Sequence, residues 1–158
     1  MIVRPAAPGD LPFLISMLYE AACWRPGARP PADVVLTNPD IARYLRDWGR
    51  AGDLGVIAEE NSTPVGAAWI RRYDDADRGY GFVAADVPEL TIGVAPAARG
   101  RGVGTRLLAE IAAEATSRAI SLSVESDNPA VRLYERAGYV PVAKDEGAWT
   151  MLLELRPE

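Results

Sequence analysis

Apolar positions along the chain change period several times, and each change predicts an element. Met1 to Pro5 alternates as a short strand does, and Gly9-Asp10 then offers an N-cap. Leu11, Leu14, Ile15 and Leu18 share one face of a helix predicted from Leu11 to Cys23. Three prolines and a glycine between Arg25 and Pro31 predict a loop, and a second helix is predicted from about Pro39 to Arg50, capped by Asn38 or Asp40. Two β-branched, apolar runs, Leu54 to Glu60 and Val65 to Tyr73, flank a turn-forming stretch and predict an antiparallel hairpin.

A polar connection from Asp74 to Pro88 leads to a third such strand, Glu89 to Ala95, which runs into Pro96 and a glycine-rich loop. The period then becomes helical: Val103, Leu107, Leu108, Ile111, Ala112 and Ala115 make a stripe on a helix predicted from Val103 to Arg118. Ile120 to Val124 predicts a strand. Asn128-Pro129 opens a short helix to about Ala137, closed by Gly138, and Tyr139 to Lys144 and Ala148 to Leu155 complete the set as strands. The order is that of a mixed α/β (α+β) layout around one sheet, read as one unit from Met1 to Glu158.

Composition narrows the chemistry. The chain has 158 residues, 49% hydrophobic and 25% charged, as expected of a globular fold. Its net charge is −5, with Lys and Arg scattered, so nucleic acid is not an expected partner. No apolar run is long enough to span a membrane, and the opening MIVRPAAPGD carries a proline and an acid where a signal peptide needs its apolar stretch, so a cytoplasmic location is expected. Histidine is absent and Cys23 is the single cysteine, which excludes an internal disulfide, a His-based triad and a Cys/His zinc site. No acidic cluster has the spacing of a metal loop, so no metal is expected.

The most informative stretch joins the third strand to the long helix. Gly100, Gly102 and Gly104 alternate there with Arg99, Arg101 and Val103, ahead of Thr105. Residues without side chains let main-chain amides approach a ligand, and the first helical turn adds unpaired N–H groups and partial positive charge, so the loop suits a diphosphate. Glycines at a strand-to-helix junction also serve chain reversal alone. The spacing is not the G-x-G-x-x-G of a dinucleotide fold, even with Glu125 near the position of that fold's acid, and no Walker loop is present.

Arg99, Gly102 and Gly104 do match R-x-x-G-x-G, and with it the chain resembles the GNAT superfamily of acyl-CoA-dependent N-acyltransferases. The resemblance extends over Leu90 to Pro96, Leu107 to Ala115, and the signature Asn128-Pro-Ala-Val-Arg-Leu-Tyr134-Glu-Arg-Ala-Gly138-Tyr139. It implies a single-domain, mostly antiparallel sheet splayed between the strands ending at Ala95 and Val124, flanked by helices. It implies acetyl-CoA as cofactor, its pyrophosphate held by Arg99, Gly100, Arg101, Gly102, Val103, Gly104 and Thr105, with the 3′-phosphate as the alternative partner of either arginine, and its pantetheine amides paired with strand backbone at Ile92, Gly93 and Val94. Asn128 is expected to bond the pantetheine arm, to cap the following helix, or both.

Amine acylation requires a neutral nucleophile, whereas an ordinary alkylamine, with a pKa of about 10, is protonated at neutral pH. Without histidine, the proton acceptor is a carboxylate or ordered water. The resemblance favours Glu89; its alternative is an exposed acid at a strand start. Gly93 permits a bulge or a close approach that frees the Val94 amide for the oxyanion, or else is a concession to packing. Tyr134 matches the tyrosine the family places beside the departing thiolate, or else supports its helix as a half-buried aromatic. Cys23, with no basic neighbour in sequence, reads as a small buried hydrophobe, so direct transfer is expected over a covalent intermediate.

The acceptor pocket is expected from the first two helices and the connection after Tyr73, with Trp24, Tyr73 and Tyr80 as its candidate residues beside Tyr19 and Trp69. Asp74, Asp75, Asp77 and Asp86 are candidates for attracting a cation, or are solvated surface. A small-molecule amine and a protein N-terminus both satisfy the chemistry. The resemblance admits a homodimer. A non-catalytic acyl-CoA sensor and a structural partner protein are the rival readings of the same cradle.

Overall fold

The computed structural model describes residues 1–155. Seven strands form one sheet in the order β1-β2-β3-β4-β5-β7-β6. They are β1 (Ile2–Pro5), β2 (Leu54–Glu60), β3 (Thr63–Arg71), β4 (Glu89–Val94), β5 (Ala119–Glu125), β6 (Val140–Asp145) and β7 (Ala148–Glu154). Neighbours are antiparallel except β4 and β5, whose parallel register holds the single pair Glu89↔Ser121. Ser121 N–H also donates to Pro88 O at 3.0 Å. Beyond that point the two strands diverge, and the sheet opens toward Val94 and Glu125. The splayed, mostly antiparallel sheet expected from the sequence is the one observed.

Among the described residues five α-helices accompany it: α1 (Leu11–Ala22), α2 (Ala32–Leu36), α3 (Pro39–Ala42), α4 (Val103–Glu114) and α5 (Ala130–Arg136). Strand residues alternate between two cores. Val56, Ala58, Ala68, Ile70 and Leu90 pack with Val103, Leu107, Leu108 and Ile111 of α4. Ile57, Ala67 and Trp69 point the other way, onto Leu14, Met17 and Leu18 of α1. Covering both faces explains why β2 and β3 read as continuous apolar runs.

Several boundaries move for physical reasons. Asp10 stands at the N-cap of α1 without capping it; its carboxylate accepts from the Ala7 amide at 2.7 Å and pairs with Arg4 at 2.8 Å. Met17, rather than Ile15, completes the buried face of α1, and Ile15 is 38% exposed. The helix predicted from Pro39 to Arg50 ends at Ala42, although Asn38 caps its start as expected, accepting from Asp40 N–H. Donors from β3 capture the carbonyls a helix would use: Trp69 Nε1 bonds Tyr44 O at 3.0 Å, and Arg71 bonds Arg43 O and Arg46 O. Asp47, at φ 55°, then turns the chain away. The short helix α2 lies in a stretch for which none was predicted. Helix α4 stops four residues before Arg118 because Ala115 turns extended.

Candidate active site

A cavity of about 980 Å³ fills the opening between β4 and β5. Its walls are the whole of β4, the end of β5, the start of α4, one side of α5, the C-terminal part of α1 and the turn between β6 and β7. Every residue of the glycine loop from Arg99 to Thr105 lines this space except Arg101.

The loop is shaped for exposed amides. Gly100 and Gly102 have φ of 78° and 84°, where any side chain is strained, and a Cβ on either would meet no atom within 4 Å. Their role is therefore conformational. Gly104 is different: a Cβ there would lie 2.9 Å from Leu133 Cδ2, so this glycine lets α5 pack against α4. Among the described residues, no protein acceptor bonds the amides of Gly100, Arg101, Gly102, Val103, Gly104 and Thr105; the first closed bond is Arg106 N–H to Gly102 O at 3.2 Å. Six consecutive unpaired N–H groups at the start of a twelve-residue helix make a ready anion site.

The two arginines separate. Arg99 lines the cavity mouth, where its Nε bonds Val94 O at 3.2 Å and its guanidinium pairs with Glu20 at 2.9 Å. Arg101 does not line the cavity: it pairs with Glu60 of β2 at 2.6 Å, a correction to the expectation that its side chain faces the ligand.

Along β4, Ala95 N–H donates to Val65 O. The antiparallel alternation then turns Thr91 and Gly93 amides toward β3 and leaves Ile92 and Val94 amides facing the gap. The register runs unbroken through Gly93, so no bulge exists there. Gly93 instead admits α1, because a Cβ would sit 2.5 Å from Met17 O. Asn128 lines the cavity, and its Oδ1 accepts from Ala130 N–H at 2.9 Å, capping α5.

Glu89 sits at the closed end of the gap and is 3% exposed, which sets aside its reading as a surface acid. Its Oε2 accepts from the Tyr44 hydroxyl at 2.7 Å, while its Oε1 has no hydrogen-bond partner. Burial raises its pKa to about 7, against opposing contributions from Tyr44, the nearby Gly81 amide and the more distant Arg43. Gly79 and Gly81 bring the connecting loop onto it: a Cβ at Gly79 would meet Glu89 Oε1 at 2.1 Å, and one at Gly81 would meet the Leu122 main chain at 2.6 Å.

Tyr134, from α5, enters the same cavity through the α4-side core, opposite the face carrying Glu89. Its ring packs edge-on against Tyr139, with centroids 6.0 Å apart. Desolvation pushes its pKa to about 12, so the phenol keeps its proton throughout the neutral range.

Of the three acceptor candidates, Trp24 and Tyr80 line the cavity and Tyr73 does not. Tyr73 is 6% exposed, packed in the α1-side core against Tyr44 with ring centroids 5.8 Å apart. Trp69 is core as well, and Tyr19 bonds Pro30 O. The acids after Tyr73 are engaged at the surface, Asp75 with Arg78, Asp77 with Arg43 and Asp86 with Arg118, and none lines the cavity. Tyr44, which the sequence reading passes over, is the addition: the broken α3 presents its phenol to Glu89, and no local pattern announces that. Cys23 is half-buried, ends α1 and lies outside the cavity.

A splayed α/β sheet with an open helix start at its mouth defines a protein with a cleft suited to a cofactor. The chain belongs to the Acetyltransferase (GNAT) family, whose model matches residues 17–139. Mycothiol acetyltransferase of Propionibacterium freudenreichii subsp. shermanii is 38% identical over 126 residues, which is 74% of this chain and 37% of that protein. An uncharacterized Mycobacterium leprae protein is 54% identical over 50 residues, 31% of this chain and 14% of its own. The chain thus spans little more than a third of the length of the longer-matching curated relative.

Solved structures agree in fold. The yncA protein of Salmonella typhimurium, determined with acetyl-CoA, superposes at a TM-score of 0.70 with 22% identity, covering 99% of this chain and 95% of that one. The ribosomal-protein-alanine N-acetyltransferase of Brucella melitensis gives 0.68 with 23% identity, covering 98% and 99%. Among the described residues no helix is long and apolar enough to cross a membrane.

Proposed function

We propose that this chain folds as one acyltransferase unit and moves an acetyl group from acetyl-CoA directly to a primary amine, carried by a small molecule or a protein N-terminus. The observation that carries the reading is the run of unpaired amides from Gly100 to Thr105, whose residues other than Arg101 line the cavity that also holds Glu89 and Tyr134. Those amides, with Arg99 at the rim, suit the charge and spacing of a diphosphate. The gap-facing amides of Ile92 and Val94 suit the carbonyls of a pantetheine arm, and Asn128 lies at its edge.

Bound there, an acyl thioester supplies an electrophilic carbonyl and a thiolate leaving group. Glu89, with a pKa near neutrality, accepts the proton of an incoming ammonium at its unpartnered oxygen. From the other face of the sheet, Tyr134 holds a proton that meets developing negative charge on sulfur. The Val94 amide supports an oxyanion. Trp24 and Tyr80 line the approach of the acceptor. Cys23 lies outside the cavity, which favours direct transfer over a covalent relay.

The test is calorimetry with acetyl-CoA followed by transfer assays on a monoamine, a diamine and an alanine-terminated peptide. Saturable binding with turnover of at least one amine is expected. Binding without turnover on any of them favours the sensor, and absence of binding removes the reading.

A further inference from the structure

Tyr44 is tied on three sides. Its phenol donates to Glu89 Oε2 at 2.7 Å and accepts from Tyr80 N–H at 2.8 Å, while its carbonyl accepts from Trp69 Nε1 at 3.0 Å. A phenol has one proton to give. With the Tyr80 amide donating into the hydroxyl oxygen, that proton points at Glu89 Oε2 and nowhere else.

The backbone around Tyr44 is equally determined. Arg71, fully buried, bonds Arg43 O at 3.0 Å, reaches Arg46 O as well, and is locked to Asp53 at 2.7 Å. The irregular stretch after α3 is thus pinned to β3 by side-chain donors rather than by its own helix. The result is a fixed donor beneath a buried carboxylate whose other oxygen, Oε1, closes no hydrogen bond, although the Gly81 amide lies near enough to the carboxylate to favour its charged form.

We propose that Tyr44 is the positioning residue of the site: it occupies Glu89 Oε2 and thereby makes Oε1 the oxygen that takes and releases the substrate proton. This rests on the acyltransferase reading of the cavity. Oε1 is buried beside Gly79 and is the carboxylate oxygen that Tyr44 leaves free, on a residue that lines the cavity. Tyr80, through its amide, couples the acceptor-side loop to the same phenol, so displacing that loop loosens the base.

Other charged and titratable groups near Glu89 are accounted for. Arg71 lies opposite it in register but is spent on Asp53 and main-chain carbonyls, and Arg43 pairs with Asp40 and Asp77. Tyr73 stands in the same core, and from β5 the register neighbour is Ser121, uncharged. Across the cavity are Glu20 and Arg99, paired to each other, with Glu125, Arg136, Asp145 and Glu146 at its rim. Tyr44 is the side chain that hydrogen-bonds the carboxylate.

The experiment reads the Glu89 carboxyl itself, without needing an identified acceptor. In protein labelled with 13C-glutamate, the Glu89 resonance is the one missing from Glu89→Gln, and its midpoint is followed by pH titration. Removing the donor in Tyr44→Phe weakens the charged form, so the midpoint is expected to rise by about one pH unit, a tenfold change in proton affinity. Site-specific 3-fluorotyrosine at position 44 keeps the shape and strengthens the donor, so the midpoint is expected to fall by a few tenths of a unit. Should Tyr44→Phe fail to fold, the fluorinated protein decides.

Opposite displacements carry the inference, and a midpoint unmoved by the substitutions overturns it. Acetyl-CoA affinity measured in parallel stays within about twofold, because Tyr44 lies away from the amide cradle. If the midpoints move but Glu89→Gln transfers acetyl groups as well as the parent, the positioning stands and the catalytic reading of Glu89 fails.

Discussion

Glu89→Gln separates stability from catalysis, because the two respond in opposite directions. In the folded chain the carboxyl titrates near 7, against an ordinary value of 4.5. Between those values the folded state binds more protons than the unfolded one, so the parent loses stability as pH rises through the window and no more above it. Integrating that difference from pH 5 to pH 8 gives a loss of about 2 to 3 kcal/mol. Glutamine keeps the acceptor for Tyr44 and does not titrate.

Any constant penalty for burying its amide cancels when the two pH values are compared, so the variant's stability relative to the parent improves by that same amount at pH 8. For a chain of this size the change in relative melting temperature is about 5 to 10 °C. Acetyl transfer falls meanwhile by about 10²- to 10⁴-fold, the usual worth of a positioned base. Chemical denaturation at both pH values and initial rates on one preparation are sufficient. A stability difference that does not grow with pH would refute the buried-carboxylate argument, and an unchanged rate would refute the base.

Tyr134→Phe is expected to lower kcat by about 10- to 100-fold with acetyl-CoA affinity nearly unchanged in calorimetry, since only proton donation is lost. For the parent, kcat/KM is expected to rise with pH through about 7 as Glu89 becomes the carboxylate, a limb absent from Glu89→Gln. Gly102→Ala places a side chain at φ 84° and is expected to cost about 1 kcal/mol in stability while weakening acetyl-CoA binding, both read from thermal shifts with and without ligand. Gly93→Ala drives a methyl group to 2.5 Å from the Met17 carbonyl and is expected to destabilise by about 1 to 3 kcal/mol in urea, through the separation of α1 from β4.

Legibility in the sequence followed the locality of the cause. The stripe from Val103 to Ile111, the turn at Asn61 and Ser62, and the alternating glycines before α4 each depend on neighbours in the chain, and each appears where its pattern places it. The early end of α3 does not: the carbonyls just after it are taken by Trp69 and Arg71, more than twenty residues away, and helical periodicity says nothing about such donors. Tyr44 is hidden for that reason, and Tyr73 reads as a pocket residue because an aromatic at a strand end looks alike whether it faces core or cleft. The same ambiguity affected the glycines. Gly100, Gly102 and Gly104 look equivalent in sequence, yet two serve backbone conformation and one serves the packing of α5.

The amides from Gly100 to Thr105 are the test of the whole site. In 15N-labelled protein titrated with acetyl-CoA, those six resonances are expected to move together and saturate with a single constant, with Ile92 and Val94 following and β1, which does not line the cavity, unmoved. Resonances in the loop that stay in place while the ligand is in excess, or shifts that appear only elsewhere on the surface, would contradict a phosphate cradle at the start of α4.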